Sequence, residues 1–209
     1  MKNLKLIFLA LGCMAALSLT SCLKDSDDDY NNGLTPAQIS QCYNAVKGSY
    51  TGKLVYPSSD TKYGFTDTID VSWSIGADTM LVINSFSSKV IAEQIKDTEL
   101  KEALLQEEQL SVLKNYLHFI KNDSEVQFLL APQTIEFPVF YKDKTHTLSV
   151  VFWYNDYSFG YKTVSTGTRG GQLVMAYAFL DGDERVNYFN STASYANIPM
   201  IFSTNLGEK

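Results

Sequence analysis

The stretch Phe65-Thr66-Asp67-Thr68-Ile69-Asp70-Val71-Ser72-Trp73-Ser74-Ile75 decides the fold class. Ile69, Val71, Trp73 and Ile75 recur at every second position, with Thr66, Thr68, Asp70, Ser72 and Ser74 between them. Successive side chains of a strand point to opposite faces, so this period gives one apolar face for a core and one face for water. Asp67 stands at the start of the otherwise apolar face. Downstream, Gly76-Ala77-Asp78 supplies turn chemistry and Met80 to Ile83 an antiparallel partner. Upstream, Tyr50, Leu54 and Tyr56 alternate with Thr51 and Lys53, and the turn-rich Pro57 to Gly64 separates the two strands.

The same period returns after Val126. Val126 to Leu130, Thr134 to Tyr141, Thr145 to Tyr154, Tyr157 to Thr163, Leu173 to Leu180, Val186 to Phe189 and Ile198 to Phe202 read as strands, parted by Asp143-Lys144, Gly170-Gly171 and Asp181-Gly182-Asp183. Pro138 cannot donate to a ladder, which puts its strand at an edge or a bulge. Helical signals are fewer. Thr35, Pro36 and Gln38 form a capping box ahead of Ile39, Tyr43 and Val46, with Gly48 placed to end the helix. Ser87 to Gln106 carries two apolar stripes broken at Lys96-Asp97-Thr98, with Thr98 as the expected cap. Leu113, Leu117 and Ile120 predict a further helix over Leu110 to Ile120, although Tyr116 and Phe119 suit a strand. The expected fold is mainly β (α+β): an antiparallel, sandwich-like domain with an N-terminal helix and a short helical insertion, a closed barrel being the alternative.

Composition narrows the function. The chain has 209 residues, 13% aromatic, with a net charge of −6 and a pI near 4.9. Its Lys and Arg residues are scattered, which argues against nucleic acid. Its three cysteines are Cys13 in an apolar run, Cys22 at the end of that run and Cys42 alone in the body, so no disulfide framework is available. His118 and His146 lie far apart and no C-x-x-C occurs, which leaves a zinc site short of ligands; no metal or cofactor is expected.

Met1 to Ser21 has a secretory layout: Lys2 and Lys5, then the apolar run Leu6 to Leu17, too short for a membrane span. Leu19-Thr20-Ser21-Cys22 resembles the bacterial lipobox. The resemblance implies cleavage before Cys22 and fatty acylation of the palmitate kind at that residue, several chains anchoring far more durably than one. Residues 22–34, with Lys24 and Asp25-Ser26-Asp27-Asp28-Asp29, read as a polar flexible tether ahead of a single domain over 35–209. That acidic run resembles the export signal of Bacteroidota surface lipoproteins, implying an outer-membrane protein whose body faces the extracellular side. The whole chain is similar to small Bacteroidota lipoproteins of unassigned function. A further resemblance, to lipocalin-like lipoprotein domains, rests on a short helix leading into Gly48-Ser49-Tyr50, where that family carries Gly-x-Trp; it implies a barrel and a small-ligand carrier.

Candidate sites are few. Trp153, Tyr157 and Tyr161 lie in an aromatic cluster with Asn155 and Asp156, where rings would cover the C–H face of a sugar and polar groups its hydroxyls. Arg169 in Gly167-Thr168-Arg169-Gly170-Gly171 offers an anion clamp or a plain hairpin connection. Asp67 with Asp70, Glu107 with Glu108, and Asp181 with Asp183 and Glu184 are the acid pairs that a glycan-acting hydrolase would draw on. His146 shares its face with Leu148, Val150 and Phe152, and reads as a satisfied histidine. Asp67-Thr68-Ile69 and Asp78-Thr79-Met80 resemble the Asp-Ser/Thr-apolar sites of Bacteroidota O-glycosylation, implying Thr68 and Thr79 as acceptors. The expectation is a lipid-anchored, non-enzymatic module that binds a glycan or a surface protein.

Overall fold

The alternating stretch forms strand β2, Thr66–Ile75, and its neighbours on both sides are the ones its pattern requires. β1 (Gly48–Pro57) pairs with it through Tyr50↔Trp73 and Leu54↔Ile69, and β3 (Met80–Ser87) through Trp73↔Ile83. The computed structural model describes residues 33–58, 66–122, 125–187 and 199–206. The expected signal segment, most of the expected tether and Cys22 lie outside the described residues. The remaining strands are β4 (Leu110–Asn122), β5 (Glu125–Pro132), β6 (Ile135–Tyr141), β7 (Lys144–Phe152), β8 (Asn155–Thr163), β9 (Arg169–Leu173), β10 (Met175–Leu180), β11 (Glu184–Arg185) and β12 (Met200–Ser203). The described helices are α1 (Pro36–Val46), α2 (Lys89–Ala92) and α3 (Thr98–Gln106).

Eight strands close into an antiparallel barrel in the order β1-β12-β9-β8-β5-β4-β3-β2, and β11-β10-β7-β6 form a second sheet. This corrects the expected sandwich and matches the lipocalin-like alternative in shape. Closure rests on the four-residue β12, where Phe202 pairs with Leu54 on one side and Gly171 on the other. A strand that short carries no periodic signal of its own. Without the inserted strands, each barrel strand lies beside the next one in the chain. Alternating direction therefore puts α2 and α3, the β6–β7 hairpin and the β10–β11 hairpin at one end, and α1 with the short turns at the other.

At the α1 end the capping box is present as expected: the Thr35 side chain accepts from the Gln38 N–H, and Gln38 reaches back to the Thr35 N–H at 2.9 Å. Cys42 and Val46 are buried beneath the helix. The Tyr50 hydroxyl bridges to the Val46 and Lys47 carbonyls at 2.6 and 2.8 Å, tying the helix C-terminus to β1. Inside the barrel, Trp73 meets Phe202 edge-on at 5.1 Å and Phe119 meets Phe128 at 5.7 Å. Glycine makes room for these rings: a Cβ on Gly160 would lie 2.2 Å from the Phe128 ring, and one on Gly171 would lie 2.6 Å from that of Phe202. The core continues through Phe86, in contact with Phe152 at 5.8 Å, and through Leu100 and Leu104 to Phe137, Leu148 and Val150 under the second sheet.

Other expectations divide. β6 is an edge of its sheet, as Pro138 requires. The two short helices form, but Asp97 caps α3, its Oδ1 accepting from the Glu99 and Leu100 N–H groups at 2.9 and 3.0 Å, and Thr98 is the first helical residue. Leu110 to Ile120 is strand, not helix. Its two-residue set Leu113, Asn115 and Phe119 is buried, while Val112, Tyr116 and Ile120 are left exposed, an apolar outer face that imitates helical spacing. Leu173 to Leu180 is two strands parted at Val174, one in the barrel and one in the second sheet.

Candidate functional site

β10 presents Tyr177 and Phe179 outward because Ala176, Ala178 and Leu180, on its other face, are buried against the core. β7 ends on the buried Phe152, and the next residue, Trp153, turns out to solvent at 36% exposure. Its backbone is held on both sides. The Trp153 N–H donates to the Val174 carbonyl at 2.8 Å, and the Trp153 carbonyl accepts from the Ser158 hydroxyl at 2.5 Å. Tyr157, 59% exposed at the start of β8, completes the row. Ring centroids are 5.7 Å apart for Tyr157 and Trp153, 6.0 Å for Trp153 and Tyr177, and 5.9 Å for Tyr177 and Phe179. Four neighbouring aromatic rings thus run from the barrel rim onto the second sheet. Gln172 donates to the Tyr157 carbonyl at 3.0 Å beside them.

The structure brings together Trp153 and Tyr157 but not Tyr161. Tyr161 is 8% exposed and lines, with Tyr50, Trp73, Phe128 and Arg169, a cavity of about 10 Å³ near the α1 end of the barrel. Four residues of strand carry the chain about 13 Å, so Tyr157 and Tyr161 belong to opposite ends of the barrel wall. Burial pushes the Tyr161 phenol pKa up. A cavity of that size holds no more than a water molecule, and Tyr161 takes no part in a surface site. Sequence reasoning missed Tyr177 and Phe179. Their alternation with alanines was a usable signal of an outward face, but their place beside Trp153 depends on the pairing of β7 with β10.

His146, Asp181 and Arg169 have structural work. His146 is buried, with Nδ1 2.8 Å from Asp181 Oδ2 and Nε2 3.1 Å from the Tyr141 carbonyl, so it ties the β6–β7 turn to the β10–β11 turn. The Thr147 N–H and then His146 hold the Asp181 carboxyl below its ordinary pKa. Asp97 accepts from the Tyr141 hydroxyl at 2.5 Å, which, with the helix-cap N–H groups, also keeps its carboxyl low. Arg169 lies over the Tyr50 ring at 4.8 Å and donates from Nη1 to the Gly167 carbonyl at 2.8 Å, pinned rather than offered to an anion.

Asp67 accepts from the Tyr56 hydroxyl at 3.3 Å, and Glu108 is bound by Ser87 and Lys89. Burial, with Asp67 next, pushes the Tyr56 phenol up to about 12. A groove of about 570 Å³ on the outer wall, between Thr51, Ser72 and Thr204, has Asp70 as the one carboxylate among its described lining residues, and Lys53 holds it at 2.6 Å. Among the described residues no group of three or more His, Cys, Asp or Glu side chains is arranged to hold a metal. Thr68 is exposed on β2, and Thr79 is exposed in the β2–β3 turn with φ 55°.

The model of a domain of unknown function, DUF4840, matches residues 45–179, more than half of the chain. The chain belongs to the DUF4840 family. The DUF4840 match begins at the end of α1 and stops at Phe179, so it takes in all four rings of the aromatic row and both sheets except β11 and β12 and the end of β10. Comparison with curated proteins and with solved structures returns no match.

Proposed function

We propose that this DUF4840 protein is a lipid-anchored, non-enzymatic glycan-binding module, held through Cys22 at the outer membrane with its body facing out. The observation that carries the binding reading is the continuous row of exposed Tyr157 and Trp153 and half-buried, outward-facing Tyr177 and Phe179. Aromatic faces are the surface a pyranose ring's C–H face stacks on, and a pinned backbone at Trp153 means little ordering cost on binding. The non-enzymatic reading is supported by the work already assigned to Asp67, Asp70, Glu108 and Asp181, each engaged by a neighbouring hydroxyl, ammonium or imidazole. The barrel contributes a rigid frame.

Binding is tested on a glycan array with the mature protein and its Trp153→Ala and Tyr177→Ala variants. Both variants should lose signal while keeping the native circular dichroism spectrum; unchanged binding in folded variants overturns the site. The anchor rests on Leu19 to Cys22, and outward display on Lys24 to Asp29. Cys22→Ala should move the protein from the detergent phase to the aqueous phase, and protease added to intact cells should digest the native form. O-glycosylation at Thr68 and Thr79 belongs to the same proposal, since both hydroxyl-bearing side chains are exposed. Intact mass before and after Thr68→Val and Thr79→Val reads it directly.

A further inference from the structure

We infer that the aromatic row takes consecutive sugars of an extended, neutral, equatorially linked glycan chain laid from β10 across the end of β7 to the start of β8, rather than a terminal sugar. This rests on the glycan-binding reading above. Tyr177 and Phe179 are two residues apart on one strand face, so the line joining them follows β10. From Tyr177 the row crosses to the end of β7, where Trp153, its N–H bonded to Val174 just ahead of β10, brings its ring 6.0 Å from that of Tyr177, and Tyr157 lies one ring further on. The steps of 5.7, 6.0 and 5.9 Å are nearly equal, each comparable with the length of one pyranose residue in an extended chain. A pocket for a chain end would instead gather its rings around one point.

The rings are tilted to one another by 39°, 49° and 34°. Such a platform follows the twist of its strands and suits a single chain free to turn about its linkages. A flat crystalline surface would meet only part of it.

Charge argues for a neutral ligand. In the cross-strand row through Phe179, Glu136 and Ser149 lie on one side and Arg185 on the other, one acid and one base about the strip. The chain as a whole carries −6. Uronate or sulfated sugars would need a cluster of cations here, while Thr147, Ser149 and Gln172 suit hydroxyls.

The test is calorimetric titration of the mature protein with cellobiose, cellotetraose and cellohexaose, with xylohexaose and β-mannohexaose as further extended chains and maltohexaose and an oligogalacturonate as coiled and anionic comparators. At least one extended neutral series should bind, affinity rising about three- to tenfold for each ring engaged. Phe179→Ala and Tyr157→Ala, at the two ends of the row, should weaken the six-sugar ligand several-fold and leave the two-sugar ligand unchanged. Equal affinity for short and long chains, no effect of the end variants, or binding of only the maltohexaose or oligogalacturonate overturns the extended-chain inference and leaves the glycan-binding reading standing. Absence of binding to every probe, and to the array, overturns both.

Discussion

Gly160 and Phe128 face each other inside the barrel wall, and the energy of that contact can be worked out from the structure. A Cβ on Gly160 would sit 2.2 Å from Phe128 Cε2 and 2.5 Å from Cζ, whereas carbon atoms rest at about 3.5–4.0 Å. The ring cannot swing aside, being 2% exposed and packed edge-on against Phe119. Overpacking of this kind costs about 1–3 kcal/mol. Gly160→Ala recovers about 0.4–1 kcal/mol by restricting the unfolded chain, for a net loss of roughly 1–2 kcal/mol. Phe128→Leu removes Cε2 and Cζ, the atoms in the way, and by itself costs about 1–2 kcal/mol. In the double variant the alanine should be nearly free, a coupling of about 1–2 kcal/mol, well beyond the ~0.5 kcal/mol scatter of independent sites. Urea unfolding followed by the fluorescence of buried Trp73 gives the four stabilities. If Gly160→Ala costs the same with leucine at 128 as with phenylalanine, the inward register of β5 against β8 is wrong, and the filled barrel with it.

Three further outcomes follow from the polar contacts. The Tyr56 phenol, pushed up to about 12 mainly by burial, should ionise well above the ordinary tyrosine range in an absorbance titration; its folded pKa lies above the unfolded value of about 10, so its stability contribution is full below pH 10 and lost as pH rises toward 12. A Tyr56→Phe difference curve centred near pH 10 would contradict this. Asp97 is depressed chiefly by the Tyr141 hydroxyl, so its contribution holds above the unfolded carboxyl value of about 3.9 and is lost as pH falls through the folded one; urea midpoints between pH 5 and 3 should drop less steeply in Tyr141→Phe than in the native protein, and parallel curves would refute the coupling. Thr35→Ala, which removes the hydroxyl that accepts from the Gln38 N–H, should cost about 1 kcal/mol, and Thr35→Ser should restore most of it.

The candidate site was half legible. Trp153 and Tyr157 stand out as aromatics among turn residues, and both are exposed. Tyr161, in the same run, is buried, four strand residues away toward the α1 end of the barrel, where it lines a small cavity with Tyr50, Trp73 and Arg169. Tyr177 and Phe179 read as ordinary strand aromatics until β10 lies against β7. The misread at Leu110 to Ile120 has a related cause. Apolar residues on both faces of β4 blur a period of two into one of 3.6, and only the burial of Leu113 and Phe119 against exposed Val112 and Tyr116 separates them.

What the amino-acid order determined by itself is local: the alternation of β2, the capping box at Thr35, the edge position of Pro138 and the burial of His146 on the Leu148–Phe152 face. These depend on residues within a turn or two of one another. Closure of the barrel, the second sheet and the aromatic row were decided by tertiary structure. Each joins residues far apart in the chain, Leu54 with Phe202, Trp153 with Tyr177, and those pairings are set by which long-range contacts fill the core, a property no local period encodes.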